Sequence, residues 1–256
     1  MRAGPERVVL RKGNGLNLIC LPFAGGSARS FARLTTYVGE DWNVTAVQPP
    51  AGFAAGECGL DALSHFYLGL LAEDLCGPGI VLGHSLGAAV AHRMAQLRSA
   101  TWPGNLHVVL SAPPAPGIAS GELLRLDDWA LLAEATRSGM LPDLGISEDF
   151  ALRFLLPGLR NDLAVLGTRG WQPDPVSAPV HLLGGTEDTT CPAATLELLR
   201  EALNPMSCRQ VEGGHMYVLE QPDLAAGALL DIADGINTVP AAVAAIQLCN
   251  CATSLA

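Results

Sequence analysis

Three apolar residues, Ile80-Val81-Leu82, run directly into Gly83-His84-Ser85-Leu86-Gly87, and this pentad runs directly into Ala88–Leu97, a segment without a helix breaker. The first piece reads as a short buried strand and the last, rich in strong helix formers, as a helix. The chain must therefore turn from strand to helix within five residues. Glycines on both sides of the serine allow the close backbone approach that so sharp a turn demands. Such a junction belongs to a sheet that carries helices on its faces. The serine at its apex could serve as a helix cap. The strained turn between two glycines favours a different use, in which the Ser85 hydroxyl is lifted clear of the sheet as an exposed nucleophile.

The rest of the chain repeats the alternation. Leu18–Leu21, Val44–Val47, His107–Leu110, Val180–Leu183 and Cys208–Val211 are further strand candidates. Phe31, Leu34 and Val38 fall at helical spacing, Leu63–Leu71 is amphipathic, Pro192 opens a helix to about Leu203, and Leu224–Ile232 suits a last core helix. This predicts an α/β fold with a mostly parallel sheet flanked by helices. The alternation lapses from 113 to 175, where helical stretches at Leu123–Ala135 and Phe150–Leu156 stand without a strand. About sixty residues is far more than the dozen or so a crossover needs, so the segment predicts a helical lid inserted between two strands. The Ala-rich tail from 235 to 256 has little pattern, and the whole of 1–256 is expected to form one domain.

The formal net charge of −10 and the absence of any Lys/Arg cluster argue against a nucleic-acid partner. The seven cysteines are irregularly spaced and contain no C-x-x-C pair, so no zinc site is expected; Cys249-Asn250-Cys251 reads as chance thiols on the tail. Cys20 and Cys208 suit strand positions as small hydrophobes. No secretory leader and no membrane-length apolar run is evident, so a cytoplasmic monomer is the expectation.

A serine hydroxyl needs a base, and the base an orienter. In the α/β-hydrolase fold the three follow one another as Ser, then Asp or Glu, then His. Here the acid falls in Gly184-Gly185-Thr186-Glu187-Asp188 and the histidine in Glu212-Gly213-Gly214-His215, each just beyond a predicted strand. Open α/β sheets build their sites at that end of the strands. Asp188 is the favoured acid, with adjacent Glu187 as its competitor. His65, His84, His92, His107 and His181 sit in helices, strands or the turn itself and read as structural. Backbone donors for a tetrahedral oxyanion are expected from Leu86, which follows the serine, and from the loop Pro22-Phe23-Ala24-Gly25-Gly26, with Ala24 favoured over Phe23. Neither metal nor organic cofactor is required.

Taken together, Pro22–Ser27, Gly83–Gly87, Gly184–Asp188 and Gly214-His215 resemble the type II thioesterases that accompany nonribosomal peptide and polyketide synthases. The stretch Leu156-Pro157-Gly158-Leu159-Arg160-Asn161-Asp162 is similar to a segment of that family, and the likeness runs in order from roughly Leu16 to Leu230. The resemblance implies hydrolysis of acyl or peptidyl thioesters from the phosphopantetheine arm of carrier proteins. It matches Ser85, Asp188 and His215 to the triad, and Ala24 and Leu86 to the oxyanion donors. The chain departs from the family at Gln48-Pro49-Pro50-Ala51-Gly52-Phe53, which lacks the usual arginine, and at Met216-Tyr217 after the histidine. Because such carriers are acidic, Arg29 and Arg33 beside the oxyanion loop are candidates for docking, with Arg125, Arg153 and Arg160 in the lid. Phe23 and Met216 are candidates for substrate contact. A carboxylesterase or lipase would use the same triad, and an inactive binding protein of this fold is the third possibility.

Overall fold

A computed structural model describes residues 6–49, 59–117, 120–141, 145, 147–167 and 170–236. Pro50–Phe53 and the Cys249/Cys251 tail lie outside the described residues. Strands β1 (Glu6–Arg11), β2 (Asn17–Leu21), β3 (Asn43–Gln48), β4 (Gly79–His84), β5 (Leu106–Ser111), β6 (Val180–Gly185) and β7 (Ser207–Val211) form one sheet in the order β1-β3-β2-β4-β5-β6-β7. All neighbours are parallel except β1 and β3. Every residue of β4 and β5 is buried. Helices cover both faces of a parallel sheet, and its central strands are therefore apolar throughout rather than alternating. Helices α1 (Leu60–Leu70) and α2 (Leu86–Leu97) precede the inserted segment; α3 (Gly121–Arg125), α4 (Asp128–Arg137), α5 (Glu148–Phe150) and α6 (Leu156–Val165) fall within it, and α7 (Ala193–Leu203), α8 (Tyr217–Glu220) and α9 (Pro222–Ala233) follow. This is the α/β-hydrolase arrangement expected from the sequence.

Three local expectations change. The first strand, β1, was not anticipated. It is a half-exposed edge whose Arg-Val-Val-Leu-Arg core gives no clean alternation. Its arginines hold it instead. Arg7 donates through Nε and Nη2 to Asp74, at 2.6 Å each, and Thr45 Oγ1 donates to the same carboxylate at 3.2 Å. Arg11 caps the carbonyls of Thr35, Gly39 and Trp42. The segment with Phe31, Leu34 and Val38 is not one α-helix but two 3₁₀ turns, Ala28–Phe31 and Leu34–Thr36, although all three side chains are buried. The hydroxyls of Thr35 and Thr36 bond to the carbonyls of Ala32 and Arg33, and this local competition shortens the helix. Pro192 stands at the N-cap of α7 rather than inside it.

Among the described residues, the insertion between β5 and β6 contains helices and no strand. A π-helical turn, Ala151–Leu155, joins α5 to α6. Leu131, Ala135, Leu156 and Leu159 bury themselves beneath it, so the insertion is a packed cap rather than a loose flap. Trp171, at its end, donates from Nε1 to His92 Nδ1 at 3.1 Å, and His92 Nε2 then donates to the Asp174 carbonyl at 2.9 Å. His107 and His181 stack on adjacent strands, bonded ring to ring at 2.9 Å, with Ser207 on the far nitrogen of His181. These histidines are structural, as the sequence suggested.

Burial pushes His92 and His181 down to about 4 and His84 to about 3, and lowers His107 as well. An unfolded histidine titrates near 6.5. Between roughly pH 6.5 and 4 the unfolded chain therefore takes up protons that the native chain refuses, and stability rises with pH across that window. Asp162, whose carboxyl burial lifts to about 6, works in the opposite sense but is one group against four. Urea unfolding midpoints should fall progressively at pH 7.5, 6.0 and 5.0, and a level profile over that range would contradict this account.

Candidate active site

The turn after β4 is built by steric exclusion. A Cβ on Gly83 would lie 2.1 Å from the Gly87 carbonyl oxygen, and one on Gly87 would lie 2.2 Å from that of Leu21. No side chain fits at either place, so β4, β2 and the start of α2 meet backbone to backbone. Ser85 between them is forced to φ 52° and ψ −116°. A non-glycine residue at positive φ carries strain that the surroundings must impose. Here the Ser85 amide is held by the Ser111 carbonyl at 2.8 Å. The Ser85 hydroxyl does not cap the helix. It points instead to His215, with 3.1 Å between Oγ and Nε2.

His215 follows β7 and Asp188 follows β6, both at the carboxyl ends of their strands. His215 Nδ1 lies 2.8 Å from Asp188 Oδ2. The carboxylate can only accept, so Nδ1 carries the proton and Nε2 is left to accept from Ser85. The other oxygen, Oδ1, accepts from the amides of Thr190 and Cys191 at 2.8 Å each. Burial pushes the Asp188 carboxyl up, but the His215 hydrogen bond and charge, with the two amides, outweigh it and hold the group below its ordinary value. Asp188 and His215 are buried, whereas Glu187 is exposed to solvent. The geometry thus separates two acids that the sequence left in competition.

Ser85 opens onto a cavity of about 220 Å³ that Ala24 and Leu86 also line. Neither amide of these two residues has a hydrogen-bond partner among the described residues. Two unused donors in residues that share a cavity with the Ser85 hydroxyl are of the kind that can stabilise a negative oxygen. Phe23 walls the same cavity, and Leu123, Met140, Leu159 and Leu163 of the cap close it with apolar side chains. On the other side of Phe23 lies a second cavity, of about 470 Å³, bordered by the exposed Arg29 and Arg33. Met216 is buried at the start of α8 and lines neither cavity. Arg160 is engaged within the cap, with Asp128 and the carbonyls of Leu124 and Leu126. Among the described residues no cluster of His, Cys, Asp or Glu could hold a metal ion, and no helix is long and apolar enough to cross a membrane.

Residues behind the site escaped the sequence reading. His84, fully buried, touches Phe23, His215 and Tyr217 with ring centroids 5.4–5.8 Å apart. Its Nδ1 is 2.8 Å from Ser111 Oγ, which in turn bonds the Tyr217 hydroxyl. Burial, with the nearby His215 charge, lowers His84 to about 3, so it stays neutral and His215 can accept a proton without facing a second cation. The positions of His84 beside Ser85 and of Tyr217 shortly after His215 hinted at this; Ser111 gave no signal of its own.

The geometry agrees with what the chain is similar to. The family model described as Thioesterase domain matches residues 16–232. Thioesterase PikA5 of Streptomyces venezuelae is 32% identical over 225 residues, 81% of this chain and 77% of that protein. Gramicidin S biosynthesis protein GrsT of Aneurinibacillus migulanus is 27% identical over 80% of this chain and 84% of its own. Among solved structures, the type II thioesterase BorB from the borrelidin biosynthetic cluster superposes with a TM-score of 0.74 at 27% identity, covering 88% of this chain and 96% of BorB. A family match over most of the chain and a relative above 30% identity place the protein in the thioesterase domain family, as a hydrolase that acts on thioesters.

Proposed function

We propose that this protein cleaves acyl or peptidyl thioesters from the phosphopantetheine arm of carrier proteins in nonribosomal peptide or polyketide synthesis, through an acyl-Ser85 intermediate. The observation that carries the chemistry is the line Ser85–His215–Asp188, with contacts of 3.1 and 2.8 Å, ending at two unused amides in one cavity. His215 takes the Ser85 proton as Oγ attacks the thioester carbonyl. The Ala24 and Leu86 amides hold the resulting oxyanion. Collapse expels the arm's thiol, which receives the proton from His215. Water, activated by His215, then releases the acid and frees Ser85. Asp188 keeps the imidazole in the required tautomer and stabilises its cation. The phosphopantetheine belongs to the substrate, and no cofactor of the protein's own enters the reaction.

The carrier-bound substrate is supported by the relatives, whose names place them in gramicidin S and borrelidin biosynthesis. It is supported as well by the cavity next to the reacting one, whose lining holds two arginines, Arg29 and Arg33, against one acid, Glu220. A carrier presents an acidic face and a phosphate on its arm, and Arg29 and Arg33, which line this cavity with Phe23, are the cations that would attract both. Electrostatic attraction of this kind acts on encounter and is weakened by salt.

Acetyl- or aminoacyl-loaded carrier protein, followed by intact mass spectrometry, tests the function. Wild type should return the arm to the free thiol and Ser85→Ala should not; hydrolysis of simple esters but not of loaded carrier would favour an esterase instead. In the same assay Asp188→Asn should lower kcat about 10⁴-fold, whereas Glu187→Gln should stay within about twofold of wild type, as expected of a solvated surface acid. Reversing both Arg29 and Arg33 to Glu should weaken turnover of carrier-bound substrate while sparing small soluble thioesters. Equal activity on both would remove the docking role.

A further inference from the structure

The segment Leu156–Asp162, which stood out in the sequence, has no part in the steps above, yet its residues converge on the oxyanion loop. It forms the first part of α6 in the cap, with Pro157 in the first turn of the helix. Arg160 ties this helix to α3 and α4 through the Leu124 and Leu126 carbonyls and Asp128. Leu159, one turn's face away, lines the Ser85 cavity and lies in van der Waals range of the α-carbon side of Gly25, 3.8 Å from a Cβ built there. Asp162 reaches across the same junction. Its Oδ2 accepts the Gly25 amide at 2.7 Å, the one side-chain bond between the cap helix and that loop among the described residues.

What this bond fixes follows from the shape of the loop. The Gly26 amide donates to the Phe23 carbonyl at 2.9 Å, and Gly25 has φ +78° while Ala24 does not have positive φ. That is a β-turn over Phe23–Gly26 with its third residue in the left-handed region, the type II form. The related type I form differs mainly in having the middle peptide, here Ala24–Gly25, turned over. Glycine at the third position accepts both forms, so the loop's own sequence does not choose between them. An acceptor placed against the Gly25 N–H does. It holds the peptide that follows Ala24, while the Phe23–Gly26 bond holds the Phe23 carbonyl and with it the peptide that carries the Ala24 N–H, so the loop is pinned through both peptides that flank Ala24.

We propose that Asp162 is a positioning residue that fastens the loop carrying the Ala24 amide to the cap helix and keeps the Ala24–Gly25 peptide from turning over, so that seating of the cap helix and completion of the oxyanion hole are one event. This rests on the reading of Ala24 as an oxyanion donor. The cap is also fastened on the opposite side of the site, where the Thr190 hydroxyl donates to the Ser138 carbonyl at 2.6 Å and the Thr190 amide holds Asp188. Asp162 is largely removed from water, and burial lifts its carboxyl to about 6 against the pull of the Gly25 amide. A carboxylate kept there in spite of that cost is consistent with a specific use of its acceptor oxygen.

The test compares Asp162→Asn, which keeps an acceptor oxygen, with Asp162→Ala and the near-isosteric Asp162→Leu, which do not. Substrates are an acetyl N-acetylcysteamine thioester and acetyl-loaded carrier, with a trifluoromethyl ketone as the oxyanion-forming inhibitor. Loss of the acceptor should lower kcat about 10- to 100-fold on both substrates, less than the 10²–10³ of deleting a donor outright. KM should hold within about twofold, inhibitor affinity should fall by the same factor as kcat/KM, and Asn should restore most of the rate. If Ala fails to fold, Leu carries the same comparison. Equal rates in Leu and wild type, a loss confined to KM, or an Asn variant as slow as Leu would each overturn the proposal. Ser85→Ala is assayed alongside. If it is inactive while the Asp162 variants are normal, only this inference fails; if it remains active, the acyl-serine reading fails first.

Discussion

The molecule is organised around a place where three stretches of backbone touch with no side chain between them. Gly83 abuts Gly87, and Gly87 abuts the carbonyls of Leu21 and Pro22, with a Cβ at either glycine brought to 2.1–2.2 Å of an oxygen. Close contact of this kind sets Ser85 at positive φ and points its hydroxyl away from α2. It also brings the loop after β2 alongside the start of α2, so that the Ala24 and Leu86 amides share a cavity. Strain at Ser85 is sustained by the Ser111 carbonyl, which ties the elbow to β5. The exposed Ser85 hydroxyl and the two unused amides beside it are therefore consequences of one packing constraint.

A second layer aligns the base. Parallel strands deliver Asp188 and His215 to the same end of the sheet, because β6 and β7 are neighbours in register from His181–Ser207 to Gly185–Val211. Asp188 spends all of its acceptor capacity shown here on His215 and two amides of its own loop. Behind them, the neutral His84 fills the space between Phe23, His215 and Tyr217. The cap then bears on both sides of the site, through Asp162 on the oxyanion loop and through Ser138 on the acid loop. It is more than a cover for an apolar pocket, since it also contacts the loop that carries Ala24 and the loop that carries Asp188.

Most strands were legible because each holds a short, mainly apolar run followed within a few residues by Gly or Pro; in β7, where Arg209 and Gln210 are exposed, that signal is weakest. The edge strand β1 was not, since its stability comes from Arg7 and Arg11 bonding to Asp74 and to carbonyls far along the chain. Helical spacing at Phe31, Leu34 and Val38 correctly marked burial and wrongly implied a continuous helix, because side-chain hydroxyls there compete for the backbone. Arg160, a candidate for docking by charge alone, turned out to be consumed in joining the cap helices.

By itself the sequence determined the elbow, the order Ser85, Asp188, His215, and the presence of a helical insertion. These are local matters: a glycine beside a serine, a strand ended by a Gly-rich turn, a long stretch without strands. Only the tertiary structure decided that Asp188 and not Glu187 faces His215, that His84, Ser111 and Tyr217 back the site, and that Asp162 meets Gly25 across 137 residues of chain. The reason is physical. Adjacent residues carry the same local signal, and burial and direction, which separate them, arise only when distant segments pack.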